Sequence, residues 1–260
     1  NYKVGTVDQD PITAQNDITV DRKVSLTVVE LGSADTSVVP GQTGVATTFT
    51  VTNTSNATID IGLAATNLSG VAGPHGGTDN FDPVTAYTYY IDDGDNVFDA
   101  GDTLLSTPYL DEVGEDAAVV VHVVTSIVST RVNNDLAVVS LAGQAREGGT
   151  ASSQGAVIAA TAGGNTAGVD TVLADADGID DGEYDGIHTA RDAYLVTAPV
   201  LTVSKLSRVI SDPVNGTTDP KMIPGAVVEY CITVANASGA AAATDVIITD
   251  PLPSQTTYVS

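Results

Sequence analysis

Residues 26–55, LTVVELGSADTSVVPGQTGVATTFTVTNTS, decide the fold class because apolar and polar side chains alternate along them. Between 45 and 53 every second residue falls on one face, which is the period of a strand with one buried side. These residues are Val45, Thr47, Phe49 and Val51. The stretch TIDIGLAAT, residues 58–66, repeats the pattern with Ile59, Ile61, Leu63 and Ala65. No stretch has the apolar stripe of a helix, so the sequence predicts an all-β fold.

The run AAVVVHVVTSIV, residues 117–128, is apolar on both faces, which is typical of a strand in the middle of a sandwich. Stretches rich in Gly, Pro, Asn and Asp separate the strands, among them 71–80, 145–155 and 161–170. The 260-residue chain has no Trp, three Phe and one Met. This composition favours strands around small, tightly packed cores.

The charge balance is strongly acidic, with 33 Asp and Glu against 9 Lys and Arg and a formal net charge of -24. Nucleic acid is excluded as a partner because its binding needs a basic face, and an anionic membrane surface is disfavoured for the same reason. No apolar run reaches the roughly 18 residues of a membrane helix, so membrane insertion is not expected. Low Cys and Lys contents together with this acidity predict an extracellular, cell-surface protein.

An internal repeat relates residues 26–55 to residues 201–238, LTVSKLSRVISDPVNGTTDPKMIPGAVVEYCITVANAS. Each copy has a leading strand, a linker ending in Pro-Gly, an alternating strand and a closing Asn. The Pro and Asn positions are Pro40 and Asn53 in the first copy and Pro224 and Asn236 in the second. The two units are therefore predicted to share one fold, with a boundary near residue 198.

The second copy continues into a longer pattern over residues 223–260. It consists of Pro-Gly, an aromatic strand, Asn, a Gly-Ala-rich turn, and Asp-x-Leu-Pro followed by Tyr-Val; its residues are Pro224, Gly225, Tyr230, Asn236, Gly239, Asp250, Leu252, Pro253, Tyr258 and Val259. In this pattern the chain resembles the conserved-repeat domain of bacterial and archaeal surface proteins known as domain of unknown function eleven. The resemblance covers 199–260 and, more weakly, 24–66. It implies tandem immunoglobulin-like sandwiches, an exported structural role and no defined active site.

Three parts of the chain follow from the repeat and the resemblance. They are an N-terminal extended segment (1–23), a large β-sandwich domain with acidic loops (24–198) and an immunoglobulin-like conserved-repeat domain (199–260). Family domains continue for several strands beyond the pattern present here. The C-terminal sandwich is therefore predicted to be incomplete, with an open edge and an uncovered apolar face.

The N-terminal segment is the candidate donor strand for that face. Its stretch PITAQNDITV, residues 11–20, alternates and has no evident place in the large domain; Ile12, Ala14, Ile18 and Val20 lie on one side. Strand addition from one subunit to the next would be head-to-tail and would build an open homopolymer. The sequence thus predicts a structural subunit of an extracellular filament or surface layer. The alternative is an adhesin or stalk-like binding module of a larger multi-repeat protein, with cell-surface or glycan contacts; a mature chain, a fragment and a cytosolic protein all fit an N-terminus without a signal pattern.

The acidic stretch YIDDGDNVFDAGDTLLS, residues 90–106, partly matches a calcium-binding loop. The predicted ligands are the carboxylates of Asp93, Asp95, Asp99 and Asp102 and the carbonyl of Val97. Two departures are Ile91 at the first ligand position and Asn96 in place of the turn glycine, although Asp92 offers a substitute and Asn tolerates the left-handed conformation. Carboxylates about 4 Å apart repel by roughly 1 kcal/mol in water and about 4 kcal/mol when partly buried, which favours a bound cation. A splayed, solvated loop is the alternative.

A second acidic stretch, DADGIDDGEYDGIHTARD at residues 175–192, predicts another calcium site. Its candidate ligands are Asp175, Asp177, Asp180, Asp181 and Asp185; a solvated acidic face is the alternative. The three His residues are scattered in the sequence, so no zinc or catalytic role is expected for them. The chain has no nucleophile elbow, metalloprotease helix, phosphate loop or dinucleotide fingerprint, and it is predicted not to be an enzyme.

Overall fold

A computed structural model describes residues 2–84 and 86–259. Within these residues the chain is all-β, which confirms the predicted class. The strands are β1 (Tyr2–Val4), β2 (Val7–Gln9), β3 (Arg22–Val24), β4 (Leu26–Glu30), β5 (Thr36–Val38), β6 (Thr43–Asn53), β7 (Ile59–Asn67), β8 (Thr88–Ile91), β9 (Thr103–Leu105), β10 (Tyr109–Val113), β11 (Ala118–Ser126), β12 (Leu136–Glu147), β13 (Thr171–Leu173), β14 (Ile187–Val196), β15 (Leu201–Ser211) and β16 (Val227–Asn236). No helix in the described part of the chain is long and apolar enough to cross a membrane.

Two five-stranded sheets enclose the main core. One sheet has the order β10-β7-β12-β14-β5, and the other has the order β4-β6-β11-β8-β9. Only β14 and β5 pair in parallel within these sheets; the other neighbours are antiparallel. Apolar side chains from both sheets meet in one buried cluster, which includes Leu26, Val28, Phe49, Val51, Ile59, Ile61, Leu110, Val121, Val123 and Leu141.

The alternation in the sequence sets which face each strand buries. In β6 every second residue from Val45 to Asn53 is buried, as the period-two pattern predicts. The doubly apolar run forms β11, which pairs with β6 on one side and β8 on the other. His122 is the polar exception on β11, and its side chain is fully buried.

The two copies of the internal repeat form hairpins with the same register. In the first, β4 pairs with β6 so that Leu26 lies opposite Asn53. In the second, β15 pairs with β16 so that Leu201 lies opposite Asn236. The leading Leu and the closing Asn thus occupy equivalent positions in both hairpins.

The Pro-Gly pairs form equivalent turns before the second strand of each hairpin. Gly41 has a φ of 78° and Gly225 a φ of 86°, conformations that glycine adopts without steric cost. The turn closes when the Gln42 amide donates to the Val39 carbonyl at 3.1 Å. In the second copy, the amide of Ala226 donates to the carbonyl of Ile223 at 2.9 Å.

The surroundings of the two hairpins differ. Strands β15 and β16 pair only with each other among the described residues, and residues 237–259 contribute no strand. The pairing register places seven apolar side chains on one face of the hairpin: Leu201, Val203, Val209, Val228, Tyr230, Ile232 and Val234. We call these seven the open face; none of them is buried.

Within its described residues, the predicted N-terminal segment (1–23) has short paired strands on either side of an unpaired stretch. Residues 2–9 form a hairpin of their own, in which Tyr2 pairs with Gln9, because Gly5 at a φ of 67° allows a tight turn. Residues 22–24 form β3, which pairs in parallel with β13 of the large domain. The remaining residues, 10–21, form no strand, and all but Asp21 are exposed.

Candidate functional site

The first acidic stretch forms the loop between β8 and β9, which pair antiparallel. Three carboxylates each accept a hydrogen bond from a backbone amide two residues later: Gly94 donates to Asp92, Val97 to Asp95, and Gly101 to Asp99. Asn96 has a φ of 63°, the left-handed conformation expected where a calcium loop has glycine. Local hydrogen bonds thus hold the loop in a tight coil.

Two carboxylates of this loop turn inward onto β11. The His122 Nε2 atom lies 3.2 Å from Asp92 Oδ1 and 3.6 Å from Asp102 Oδ2. All three side chains are almost completely buried. His122 Nδ1 lies 2.9 Å from the hydroxyl of Thr48 on β6. The cluster Asp92–Asp102–His122 therefore fastens the acidic loop to the outer face of the β4-containing sheet.

The same cluster is hydrogen-bonded on every side. Asp102 accepts the backbone amides of Asp93 at 3.2 Å and Asp99 at 2.9 Å. Although burial raises the pKa of Asp92, the hydrogen bonds from the Gly94 amide and His122 outweigh it and the pKa lies below its usual range. The ring of Phe98 covers His122, with ring centroids 5.7 Å apart. These contacts explain how the loop tolerates its crowded charges at this end.

Asp93, Asp95 and Asp99 of the loop are exposed, and the inward-turned Asp92 is shared between the His122 cluster and a second group. Asp92, Asp93 and Asp95 offer oxygens within 4.8 Å of one another. Burial raises the pKa of Asp93, and the neighbouring charges of Asp95, Asp99 and Asp102 raise it further. Repulsion among these carboxylates is the electrostatic condition under which a cation binds with a net gain.

The predicted ligand set of this loop is thus only partly brought together. Ile91 lies within β8 and pairs with Val121, so the first template position holds no ligand. The predicted ligand Asp102 is turned toward His122, and the substitute ligand Asp92 contacts His122 as well while its oxygens stay within 4.8 Å of those of Asp93 and Asp95. Sequence reasoning missed the role of His122. Its signal was a polar residue at the centre of an otherwise apolar strand.

The second acidic stretch does not gather its carboxylates in the same way. No three of the predicted ligands Asp175, Asp177, Asp180, Asp181 and Asp185 offer atoms within 4.8 Å of one another among the residues described. The buried Asp175 accepts the amides of Asp185 at 3.1 Å and Gly186 at 2.9 Å. Asp185 in turn accepts the amide of Ile187 at 2.8 Å. These two carboxylates organise the loop that leads into β14.

Asp180 and Asp181 attach the same loop to neighbouring strands. Arg191 donates to Asp180 from Nε, whose one N–H is shared between the two carboxylate oxygens at 2.9 and 3.1 Å, and from Nη2; Ser140 donates at 2.8 Å. Asp181 Oδ1 accepts the Thr189 amide at 3.0 Å, whereas its Oδ2 is buried without a hydrogen-bond partner in the described structure. Calcium binding at this second stretch stays a prediction. The hydrogen bonds described above give these carboxylates a structural role that needs no bound ion.

Replacing Asp180 by Asn should destabilise the large domain by about 1–2 kcal/mol at pH 7, because the Arg191 pair is charge-assisted and partly buried. The hydrogen bonds from Arg191 hold the pKa of Asp180 below its usual range. The stabilisation is therefore present above the usual carboxyl pKa and is lost as the pH falls through the lower folded-state pKa. Urea unfolding at pH 7 and pH 2 measures this effect. The free energy of unfolding of Asp180→Asn should fall below that of the unmodified chain by less at pH 2 than at pH 7; an equal difference at both pH values would contradict the prediction.

Two further groups of ligating side chains were not foreseen from the sequence, because their members are far apart in the chain. Asp60, Asp111 and Glu112 form one; the buried Asp60 accepts the Glu112 and Gly155 amides, each at 2.9 Å, and so has a structural role. Glu30, His75 and Asp192 form the other. In it, burial raises the pKa of Asp192 to about 7.

Comparisons with known proteins assign the chain to no family. No family model matches the chain, and no curated protein matches it. A solved structure similar to it is described as "AvmM Catalyzes Macrocyclization in Alchivemycin A Biosynthesis". The similarity has a TM-score of 0.30 and 11% sequence identity, and it covers 66% of this chain and 88% of that chain.

The prediction that the chain is not an enzyme is corrected by this comparison. AvmM is described as catalysing a reaction, and we withdraw the exclusion of catalysis. At this TM-score and identity, the similarity assigns no reaction, substrate or fold to the chain.

Proposed function

We propose that the chain is a structural subunit of an extracellular filament or surface layer. In this proposal, residues 10–20 of one copy complete the C-terminal unit of the next copy by strand addition. The contact joins two different surfaces, so it repeats head-to-tail without closing. Calcium at the acidic loop between β8 and β9 stabilises the subunit.

The observation that carries the proposal is the unequal burial of two equivalent hairpins. In the first hairpin Leu26 and Val28 are 0% and 1% exposed, because β12 and β14 of the other sheet pack against β4. In the second hairpin the equivalent residues Leu201 and Val203 are 43% and 67% exposed. The two hairpins thus share their strand pairing and their turn, but the apolar face of the first is covered and that of the second is exposed to solvent.

An open face of this kind is costly in water. Burying a Val, Leu or Ile side chain fully is worth about 1.5–3 kcal/mol, and a two-stranded hairpin without a packed face is at best marginally stable. Both outer edges of β15 and β16 also present unpaired backbone groups, which favour the addition of another strand. The hairpin therefore has both the surface and the edge that an added strand requires.

Residues 10–20 have the complementary properties. They form no strand in the described structure, so their backbone groups are free to pair. Ile12, Ile18 and Val20 are 83%, 88% and 76% exposed, and they alternate with polar residues. A strand with this pattern would place one apolar row on the open face and one polar row in water.

The finer fold and location form part of the same proposal. The equivalent hairpins support tandem immunoglobulin-like sandwiches, of which the second lacks its covering sheet in the described residues. The pattern from Pro224 to Val259 supports membership of the conserved-repeat surface domains, and the net charge of -24 suits a soluble, exported assembly.

Substitutions on the two faces of β15 test the proposal. Val203→Glu places a charge on the open face and should prevent purified protein from forming long fibres. Ser204→Glu adds the same charge on the opposite face of the same strand and should leave fibres intact. Electron microscopy of both variants reads the result, and fibres of normal length from Val203→Glu would refute strand addition at this face.

The alternative function, an adhesin or stalk-like module, has a distinct outcome in the same experiment. If further residues of a longer polypeptide cover the open face, the unmodified chain stays monomeric, and glycan or cell binding becomes the activity to measure. Monomers at all concentrations would thus count against the filament and for the module.

Calcium binding has its own expected result. Adding Ca²⁺ to chelator-treated protein should raise the melting temperature. A ligand at a free concentration 100 times its Kd adds about 2.7 kcal/mol to the free energy of unfolding. Asp95→Asn, which changes an outward carboxylate, should remove most of that rise, whereas the exposed turn residue Glu115 changed to Gln should not. An unchanged melting temperature with Ca²⁺ would contradict a site in this loop.

A further inference from the structure

The group of Glu30, His75 and Asp192 lies where the two sheets of the large domain meet. Glu30 ends β4 of one sheet, and Asp192 belongs to β14 of the other. His75 lies in the loop that follows β7, and its Nε2 atom is 2.7 Å from Glu30 Oε1. One nitrogen and two carboxylate oxygens of the three residues lie within 4.8 Å of one another.

The group combines one buried carboxylate, that of Asp192, with the partly exposed side chains of Glu30 and His75. Asp192 is 4% exposed; its carboxylate accepts the Ala193 amide at 2.6 Å and lies near the Thr48 amide. Nearby Asp35 has a buried Oδ1 with no hydrogen-bond partner in the described structure. Asp35 lies close to the group in the fold, because the next residue, Thr36, pairs with Tyr194, two residues after Asp192. A cation bound beside the buried Asp192 carboxylate would offset the cost of burying its charge.

We propose that Glu30, His75 and Asp192 bind a divalent transition-metal ion of the zinc class. An imidazole nitrogen with two carboxylate oxygens suits Zn²⁺ and its neighbours, whereas Ca²⁺ prefers ligands that are all oxygen. The side chains of Glu30 and His75 are partly exposed, so an ion can enter from solvent. The bound ion links β4, the edge strand of one sheet, to β14 of the other sheet.

Titration of Zn²⁺ into chelator-treated full-length protein tests this site. We expect binding of one ion by calorimetry and a visible absorption band when Co²⁺ replaces it. His75→Ala should weaken binding by a factor on the order of 100 or more, because it removes the nitrogen ligand. Asp192→Asn should weaken it to a similar degree.

Two controls keep the result specific. His122→Gln leaves this group intact and should bind Zn²⁺ as the unmodified chain does, and circular dichroism shows whether each variant is folded. His75→Ala should keep its response to Ca²⁺, because that response depends on the acidic loop. Absence of Zn²⁺ binding in the unmodified chain, or equal binding in folded His75→Ala, would overturn the assignment.

Discussion

A chain that lacks residues 1–20 should form no fibres, although its large domain remains folded. Asp21 and Arg22 are retained because they contact the large domain: Asp21 accepts the Asp170 amide at 3.0 Å, and Arg22 pairs with Glu147 at 2.7 Å. The deleted residues make no strand pairing with the large domain in the described structure. The melting temperature should therefore change little while assembly is lost entirely.

Point substitutions separate strand donation from a general effect of the deletion. Ile18→Asp places a charge in the apolar row of the donor and should reduce assembly by a factor on the order of 10 or more, since burying an unpaired charge is costly. Thr19→Asp carries the same charge in the polar row and should assemble normally. Sedimentation of fibres measures both; fibres from the deleted chain would show that assembly does not use the donor.

Replacing His122 by Ala should have the largest effect on stability. The substitution removes the side chain that Asp92 and Asp102 contact, and leaving buried polar groups without a hydrogen-bond partner costs about 1–3 kcal/mol, or more for charged groups. That is a large share of the about 5–15 kcal/mol by which a domain is stable. Urea unfolding of His122→Ala gives the loss directly.

A second variant shows that the loss comes from the carboxylates. Adding Asp92→Asn and Asp102→Asn to His122→Ala removes the stranded charges and should restore part of the stability. Thr48→Ala, which removes the hydroxyl 2.9 Å from His122 Nδ1, should cost only about 1 kcal/mol. A loss below about 1 kcal/mol in His122→Ala would contradict the role of the cluster.

Local signals in the sequence predicted the features that depend on neighbouring residues. The alternation from Val45 to Val51 predicted which face of β6 is buried, because strand geometry fixes a period of two. The Pro-Gly pairs predicted turns, and Asn96 predicted a left-handed residue, because these conformations depend on the residue itself.

The groups that depend on strand pairing were beyond such signals. His122 meets Asp92 because β8 and β11 pair in a register that places His122 opposite Tyr90. Glu30, His75 and Asp192 meet only after the two sheets pack, across separations of 45 residues and more. The calcium-loop template likewise did not predict that Ile91 belongs to β8. That strand ends where its pairing with β11 and β9 ends, which the loop sequence alone does not show.

Hydrogen exchange of the backbone amides in β15 and β16 reports directly on whether residues 10–20 add a strand to this hairpin. The chain without residues 1–20 is measured alone and with a saturating peptide of residues 10–21. We expect the peptide to slow exchange along one outer edge of the hairpin and to yield capped, non-fibrous protein, because the added strand pairs with that edge and covers the open face. Exchange that is equally fast with and without the peptide would contradict this expectation.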